Sequence, residues 1–105
     1  MDFNIEQQGL RAIITLNKSR VLGTESVELQ NSILDLIQKG SKEIEIDLSL
    51  VKQITSWGIG MLIHALTTCT NREIGLSLTG VTENVFAVIE KVKLHTIFNI
   101  QMNSK

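Results

Sequence analysis

The feature that most constrains this 105-residue chain is a cleanly alternating stretch that runs almost directly into an apolar helical one. From Lys42 to Leu48, Ile44, Ile46 and Leu48 share one side while Glu43, Glu45 and Asp47 share the other. That period of two belongs to a half-buried strand. After a short polar connection, Thr55-Ser56 opens the run Trp57-Gly58-Ile59-Gly60 and onward to Leu66. There Ile59, Leu62, Ile63 and Leu66 recur at the i, i+3, i+4, i+7 spacing of a helix stripe facing a core. A strand with acid along one face is not buried on both sides, so its sheet is expected to carry helices mainly on one face.

The same two periods organise the rest of the chain. Phe3 to Gln8 alternates weakly and suits an edge strand, and Arg11 to Leu16 is a β-branched strand run. Asn17-Lys18-Ser19-Arg20 reads as a polar, locally basic loop. Gly23-Thr24 then precedes a helix with Thr24 as N-cap, Glu25 and Glu28 in its first turn, and Leu29, Ile33, Leu36 and Ile37 as its stripe. Lys39-Gly40 is its stop. The central helix fades near Thr70-Asn71, and Glu73 to Leu78 is expected as a strand with Ile74, Leu76 and Leu78 inward. Thr82 caps a third helix containing Val85, Phe86, Ile89 and Val92; Thr96 to Met102 closes as a strand, and Asn103 to Lys105 is expected to fray. The order β-β-α-β-α-β-α-β implies one α/β domain over residues 1–105, with a mixed sheet, parallel where helices connect strands and antiparallel in the opening pair.

Composition narrows the function. A net charge of −1 leaves no basic footprint, so nucleic acid is not an expected partner. No apolar run reaches the roughly 18 residues of a membrane span and no signal peptide is evident, which points to the cytoplasm. The single Cys69 cannot pair within the chain and reads as a buried small hydrophobe in a reducing compartment. Two histidines and one cysteine far apart in sequence give no metal-ligand spacing, and no phosphate-binding glycine loop opens a helix, so no metal and no cofactor are expected. Ser56 with His64 as a nucleophile–base pair is rejected, because eight helical residues separate them by roughly 12 Å of rise.

Ser56 stands where a serine can cap the helix. It also stands where free N–H groups and the helix dipole would accommodate a phosphate. Trp57, Met61, His64 and Thr68 project away from the Ile59–Leu66 stripe. Either they form a solvent-facing partner surface, or another element of the chain covers Trp57 and Met61. Asp47 either bonds the loop before Ser56 or is the last solvated acid of its strand.

Asp47-Leu48-Ser49 followed by Ile54-Thr55-Ser56-Trp57-Gly58-Ile59-Gly60 resembles the signature of STAS domains. In the bacterial anti-sigma factor antagonists that signature reads approximately D-L-S, a spacer, then D-S-S-G-[LI]-G. The order of elements along the whole chain is similar as well. The resemblance implies a monomeric, non-enzymatic partner switch. In that family the first Ser of the motif is phosphorylated by a serine kinase, usually a GHKL-type ATPase that also acts as the anti-sigma-like regulator, and a serine phosphatase reverses it. The unmodified form binds and the phosphorylated form releases. Ser56 falls on the acceptor position, with Thr55, Trp57, Gly58, Met61 and His64 as the surrounding partner surface and Lys18 and Arg20 as contacts to an acidic partner or to the phosphate. Thr55 replaces the family's Asp, Trp57 its second Ser, and the basic Asn17–Arg20 turn an acidic one. Those departures bear on which process is controlled, transcription, biofilm or another. Two other readings stand beside the switch: a small-ligand or nucleotide-sensing STAS module, and a structural subunit of a signalling assembly.

Overall fold

A computed structural model of the chain describes residues 3–103. Strands β1 (Phe3–Gln8) and β2 (Arg11–Leu16) form an antiparallel hairpin, followed by the two-residue strand β3 (Arg20–Val21) and helix α1 (Ser26–Gln38). Then come β4 (Glu43–Asp47), the short β5 (Gln53–Ile54), α2 (Ser56–Asn71), β6 (Gly75–Val81), α3 (Glu83–Lys91) and β7 (Asn99–Met102). The main sheet has the order β1-β2-β4-β6-β7, parallel everywhere except the hairpin. Register places Ile14 beside Ile46 and Ile46 beside Leu78, so one apolar row crosses its centre. Those residues, with Ala12, Leu16, Ile44, Leu48 and Leu76, are buried against Leu29, Ile33, Leu62 and Ile89 of the helices. The other face keeps Glu43, Glu45 and Asp47 near water. The expected fold class and the one-sided placement of helices are observed.

A second, two-stranded sheet was not expected. β3 pairs in parallel with β5, so Arg20 lies beside Gln53 and Val21 beside Ile54. The supposed loop at Lys18–Arg20 is thereby sewn to the connection leading into α2, with the amides of both Lys52 and Gln53 donating to the Ser19 carbonyl at 2.8 and 2.9 Å.

Several boundaries also move. Thr24 is exposed and does not cap α1. Glu25 takes that position without a cap bond, after a turn in which Ser26 N–H donates to Gly23 O at 3.3 Å. Glu73 adopts φ 59° in the turn that ends α2, so the following strand starts at Gly75 rather than at Glu73. Residues 96–98 form a turn before β7, with Phe98 tucked into the core. Asn103 is not frayed: its amide donates to Val81 O at 2.8 Å, while Ser104 and Lys105 lie outside the described residues. Thr82 caps α3 as expected, accepting from Val85 N–H at 3.4 Å. Val92 lies beyond the helix and is exposed.

Candidate functional site

The entry into α2 is held from behind by β3. Thr55, not Ser56, is the N-cap: its Oγ1 accepts from Gly58 N–H at 3.1 Å and donates to Leu22 O at 3.1 Å, while its own amide donates to Val21 O at 3.0 Å. Gly58 is buried, because a Cβ there would sit 2.8 Å from both the Val21 carbonyl oxygen and Ile54 Cγ1. It is a packing residue and not part of a partner surface, contrary to expectation. The close approach it permits brings the Val21 and Leu22 carbonyls within reach of Thr55.

With the cap duty on Thr55, Ser56 is the first helical residue, exposed, and its hydroxyl has no partner among the described residues. Four N–H groups lack intrahelical partners at a helix start. Thr55 N–H is taken by the Val21 carbonyl and Gly58 N–H by the Thr55 hydroxyl. The amides of Ser56 and Trp57 remain open at the positive end of the 16-residue helix. Such an end tolerates an anion.

Around Ser56 the expected strip is only partly realised. Trp57 is 81% exposed and His64 is exposed, two helical turns apart on the same side. Met61 is 4% exposed, not solvent-facing as expected. The reason is α1, which packs along that side of α2: Gln30 Nε2 donates to Thr68 Oγ1 at 2.7 Å, one heptad on from Met61. The buried arc is therefore centred on Gly58, Met61, Leu62, Ala65 and Cys69, and Ile63 and Leu66 are only half-buried. Gly60 completes the exposed stripe between Trp57 and His64. Its i+3 and i−4 spacing to those two residues was the signal that would have found it. Nothing lies within 4 Å of a Cβ built there. Gly60, Ser56, Trp57, Gly23, Ser26 and the edge of Met61 line an open groove of about 530 Å³.

A second groove, about 440 Å³, lies on the other side of Thr55 and includes Arg20, Leu22, Lys52, Ile54 and Val88. Arg20 is exposed there. Lys18 is not turned to a partner as expected: it pairs with Glu25 Oε2 at 2.7 Å and pins the start of α1. Burial of Glu25 opposes its charge, but the Lys18 hydrogen bond and nearby backbone donors outweigh this and hold the carboxyl below its usual range. Asp47 bonds the loop rather than standing free, its Oδ1 accepting from Ser49 N–H at 2.9 Å. Cys69 is fully buried, and desolvation pushes its thiol up to about 11 against the opposing charge of Arg72. Among the described residues no cluster of His, Cys, Asp and Glu could hold a metal ion, and no helix is long and apolar enough to cross a membrane.

A one-sided mixed sheet that presents a serine at the exposed start of the helix after its central strand is the arrangement of a STAS-type domain. The chain belongs to this family: residues 6–101 match the model described as Mlab, STAS domain. Among solved structures it is similar to an anti-sigma-factor antagonist (STAS) domain protein from Planctomyces limnophilus, at 18% identity and TM-score 0.80, covering 97% of this chain and 91% of that one. It is similar to the anti-sigma factor antagonist SpoIIAA in its unphosphorylated form, at 14% identity and TM-score 0.76, covering 93% and 86%. SpoIIAA of Bacillus is also known in a phosphorylated form, at 13% identity, TM-score 0.70 and 93% and 89% coverage. A sulfate transporter family protein from Wolinella succinogenes matches at 16% identity and TM-score 0.74, covering 85% and 74%. At these identities the likeness is one of fold. No curated protein matches the chain.

Proposed function

We propose that this domain is a phosphorylation-controlled partner-binding module: with Ser56 unmodified it binds a regulatory protein, and a phosphate on Ser56 releases it. The observation that carries this reading is the free Ser56 hydroxyl, exposed at the open end of α2 and relieved of capping by Thr55. Support comes from Trp57, a large exposed aromatic beside it, since such residues serve as interface anchors. Further support is that a protein of this fold, SpoIIAA, occurs in both phosphorylated and unphosphorylated forms.

The partner in this reading is a serine kinase of the GHKL ATPase type, opposed by a serine phosphatase, and the domain itself performs no catalysis. Ser56 Oγ attacks the γ-phosphorus of ATP held by the kinase. The bond to ADP breaks, and the hydroxyl proton passes to a base of the kinase. Phosphate adds roughly −1.5 to −2 charges. The helix dipole favours that charge by about 0.3–1 kcal/mol, so the fold tolerates it. A partner that had packed over a small hydroxyl must instead desolvate a dianion, which costs several kcal/mol when unpaired. Partner affinity of unmodified, phosphorylated and Ser56→Ala protein tests the reading, with intact mass reporting the modification. The expected order is strong, weak and strong. Equal binding of the first two refutes it.

A further inference from the structure

We propose that the groove between the β3–β5 pair and α3 is the docking site for an acidic segment of the partner protein, with Arg20 and Lys52 as the cations that receive it. This rests on the partner-binding reading above and supplies the partner's chemistry. Arg20 and Lys52 are 32 positions apart in sequence, yet pairing of Arg20 with Gln53 and the bonds from Lys52 and Gln53 to Ser19 bring Lys52, just before β5, into the same groove as Arg20. Both are exposed, and neither has an ion-pair partner among the described residues. Arg11, Lys18 and Lys39, by contrast, are each matched to a carboxylate.

No Asp or Glu lines this groove or the one beside Trp57. The carboxylates lie elsewhere: Glu43, Glu45 and Asp47 on the open sheet face, Glu28 and Asp35 on α1. Glu83 starts α3 next to the groove but is not part of its lining. Lys42, Arg72, Lys91 and Lys93 also stand outside the ion pairs among the described residues, but none of them lines this groove, where two unpaired cations meet beside Thr55.

The same groove is lined by apolar Ile54, Val88 and Leu22, the last 40% exposed, together with the uncharged polar Gln53, Thr55 and Asn84. Two cations around apolar surface in an open groove fit carboxylates flanking an apolar side chain, as on a peptide. Such a partner makes the switch sharper. A phosphate on Ser56 would meet the arriving acidic segment with like charge, and it would offer Arg20 and Lys52 an anion from their own chain.

The test uses full-length protein and three labelled synthetic peptides of equal length: Glu/Asp-rich with one central Leu, its Gln/Asn counterpart and its Lys counterpart. Phosphatidylglycerol vesicles serve as a competing anionic surface. Affinity is read by anisotropy and by emission of Trp57, the single tryptophan. At low ionic strength the acidic peptide should bind at least about tenfold more tightly than the neutral one, and the margin should shrink in high salt. Arg20→Glu/Lys52→Glu should abolish the preference and Arg20→Gln/Lys52→Gln should weaken it, at unchanged melting temperature. Lys42→Glu/Lys91→Glu, with the same charge change elsewhere, should retain it. Equal binding of acidic and neutral peptides, indifference to the Arg20/Lys52 variants, or binding of vesicles alone overturns the proposal. If the acidic preference holds but phosphorylation of Ser56 changes nothing, the groove stands and the switch reading fails. If phosphorylation releases the natural partner while the charge reversal leaves that complex intact, the switch stands and the groove does not.

Discussion

Two glycines two residues apart in α2 should respond oppositely to the same substitution. At Gly60 the space around a new Cβ is empty, and the residue is exposed within a helix. Glycine in a helix interior costs about 0.5–1 kcal/mol relative to alanine, so Gly60→Ala should stabilise by that amount. In a domain of about this size, 1 kcal/mol shifts the melting temperature by roughly 4–8 °C, so a rise of about 2–8 °C is expected. At Gly58 the new methyl would lie 2.8 Å from the Val21 carbonyl oxygen and from Ile54 Cγ1. Overpacking of this kind costs about 1–3 kcal/mol, which exceeds the propensity gain, and it pushes on the carbonyl that receives the Thr55 amide. A net loss near 1 kcal/mol follows, and the two variants should separate by about 2 kcal/mol, or roughly 8–16 °C. Thermal unfolding followed by circular dichroism measures this directly. A Gly58→Ala as stable as the parent would refute the packing of β3 against the start of α2, and a destabilised Gly60→Ala would refute the open space at Gly60. Gly60→Arg adds a separate arm: the fold should survive, while a partner lying along Trp57 and His64 should be displaced.

Thr55→Ala should lower stability by about 1 kcal/mol through loss of the cap, whereas Ser56→Ala should leave the melting temperature unchanged; the reverse result would return the cap to Ser56. Trp57→Ala should keep the melting temperature, because the ring is exposed. It should still weaken the partner complex by about 2 kcal/mol, roughly thirtyfold. Glu25 is held below the usual carboxyl range, so its contribution to stability is present above the ordinary carboxyl pKa near 4.3 and is lost as pH falls through the depressed value. Melting curves of the parent and Glu25→Gln should therefore converge in acid and diverge toward neutrality. The Cys69 thiol, raised to about 11, should resist thiol reagents at neutral pH until the domain unfolds. Rapid labelling of the native protein would contradict its burial.

What was legible in the sequence was whatever repeats with a period. Alternation at Lys42–Leu48 placed Ile44 and Ile46 inward and the acids outward, and helical spacing placed Ile59 and Leu62 in the core. Trp57 and His64 were placed outward in the same way. Periodicity orders residues around a helix but does not say which neighbour covers which side, so Met61 and Thr68, expected outward, are both buried: α1 lies there. Thr55 and Ser56 are both capping residues, and nothing local chooses between them. The choice is made by the Val21 and Leu22 backbone, delivered by a strand of two residues that is too short to show any period. The same strand brings Arg20 beside the Lys52 connection, a juxtaposition no local pattern could announce. Gly58 and Gly60 look equivalent in a motif and differ only in what stands next to them.

Thr55, the position before the proposed phosphoacceptor Ser56, sets the local charge. The signature that this chain resembles carries Asp there, whereas Thr55 caps with a neutral hydroxyl. An Asp cap would set a negative charge beside Ser56 before any modification. Here the groove that Thr55 lines carries two unpaired positive charges, those of Arg20 and Lys52, and no carboxylate. In the proposed switch a phosphate of roughly −1.5 to −2 charges therefore does not deepen an acidic surface. It cancels a basic one, bringing the local sum from about +2 to near zero. The helix tolerates the anion, since the Ser56 and Trp57 amides are open, so domain stability need hardly change while the surface loses the sign an acidic partner reads. On that proposal stability and recognition would be separated, because Thr55 caps the helix and its neighbour Ser56 would carry the phosphate.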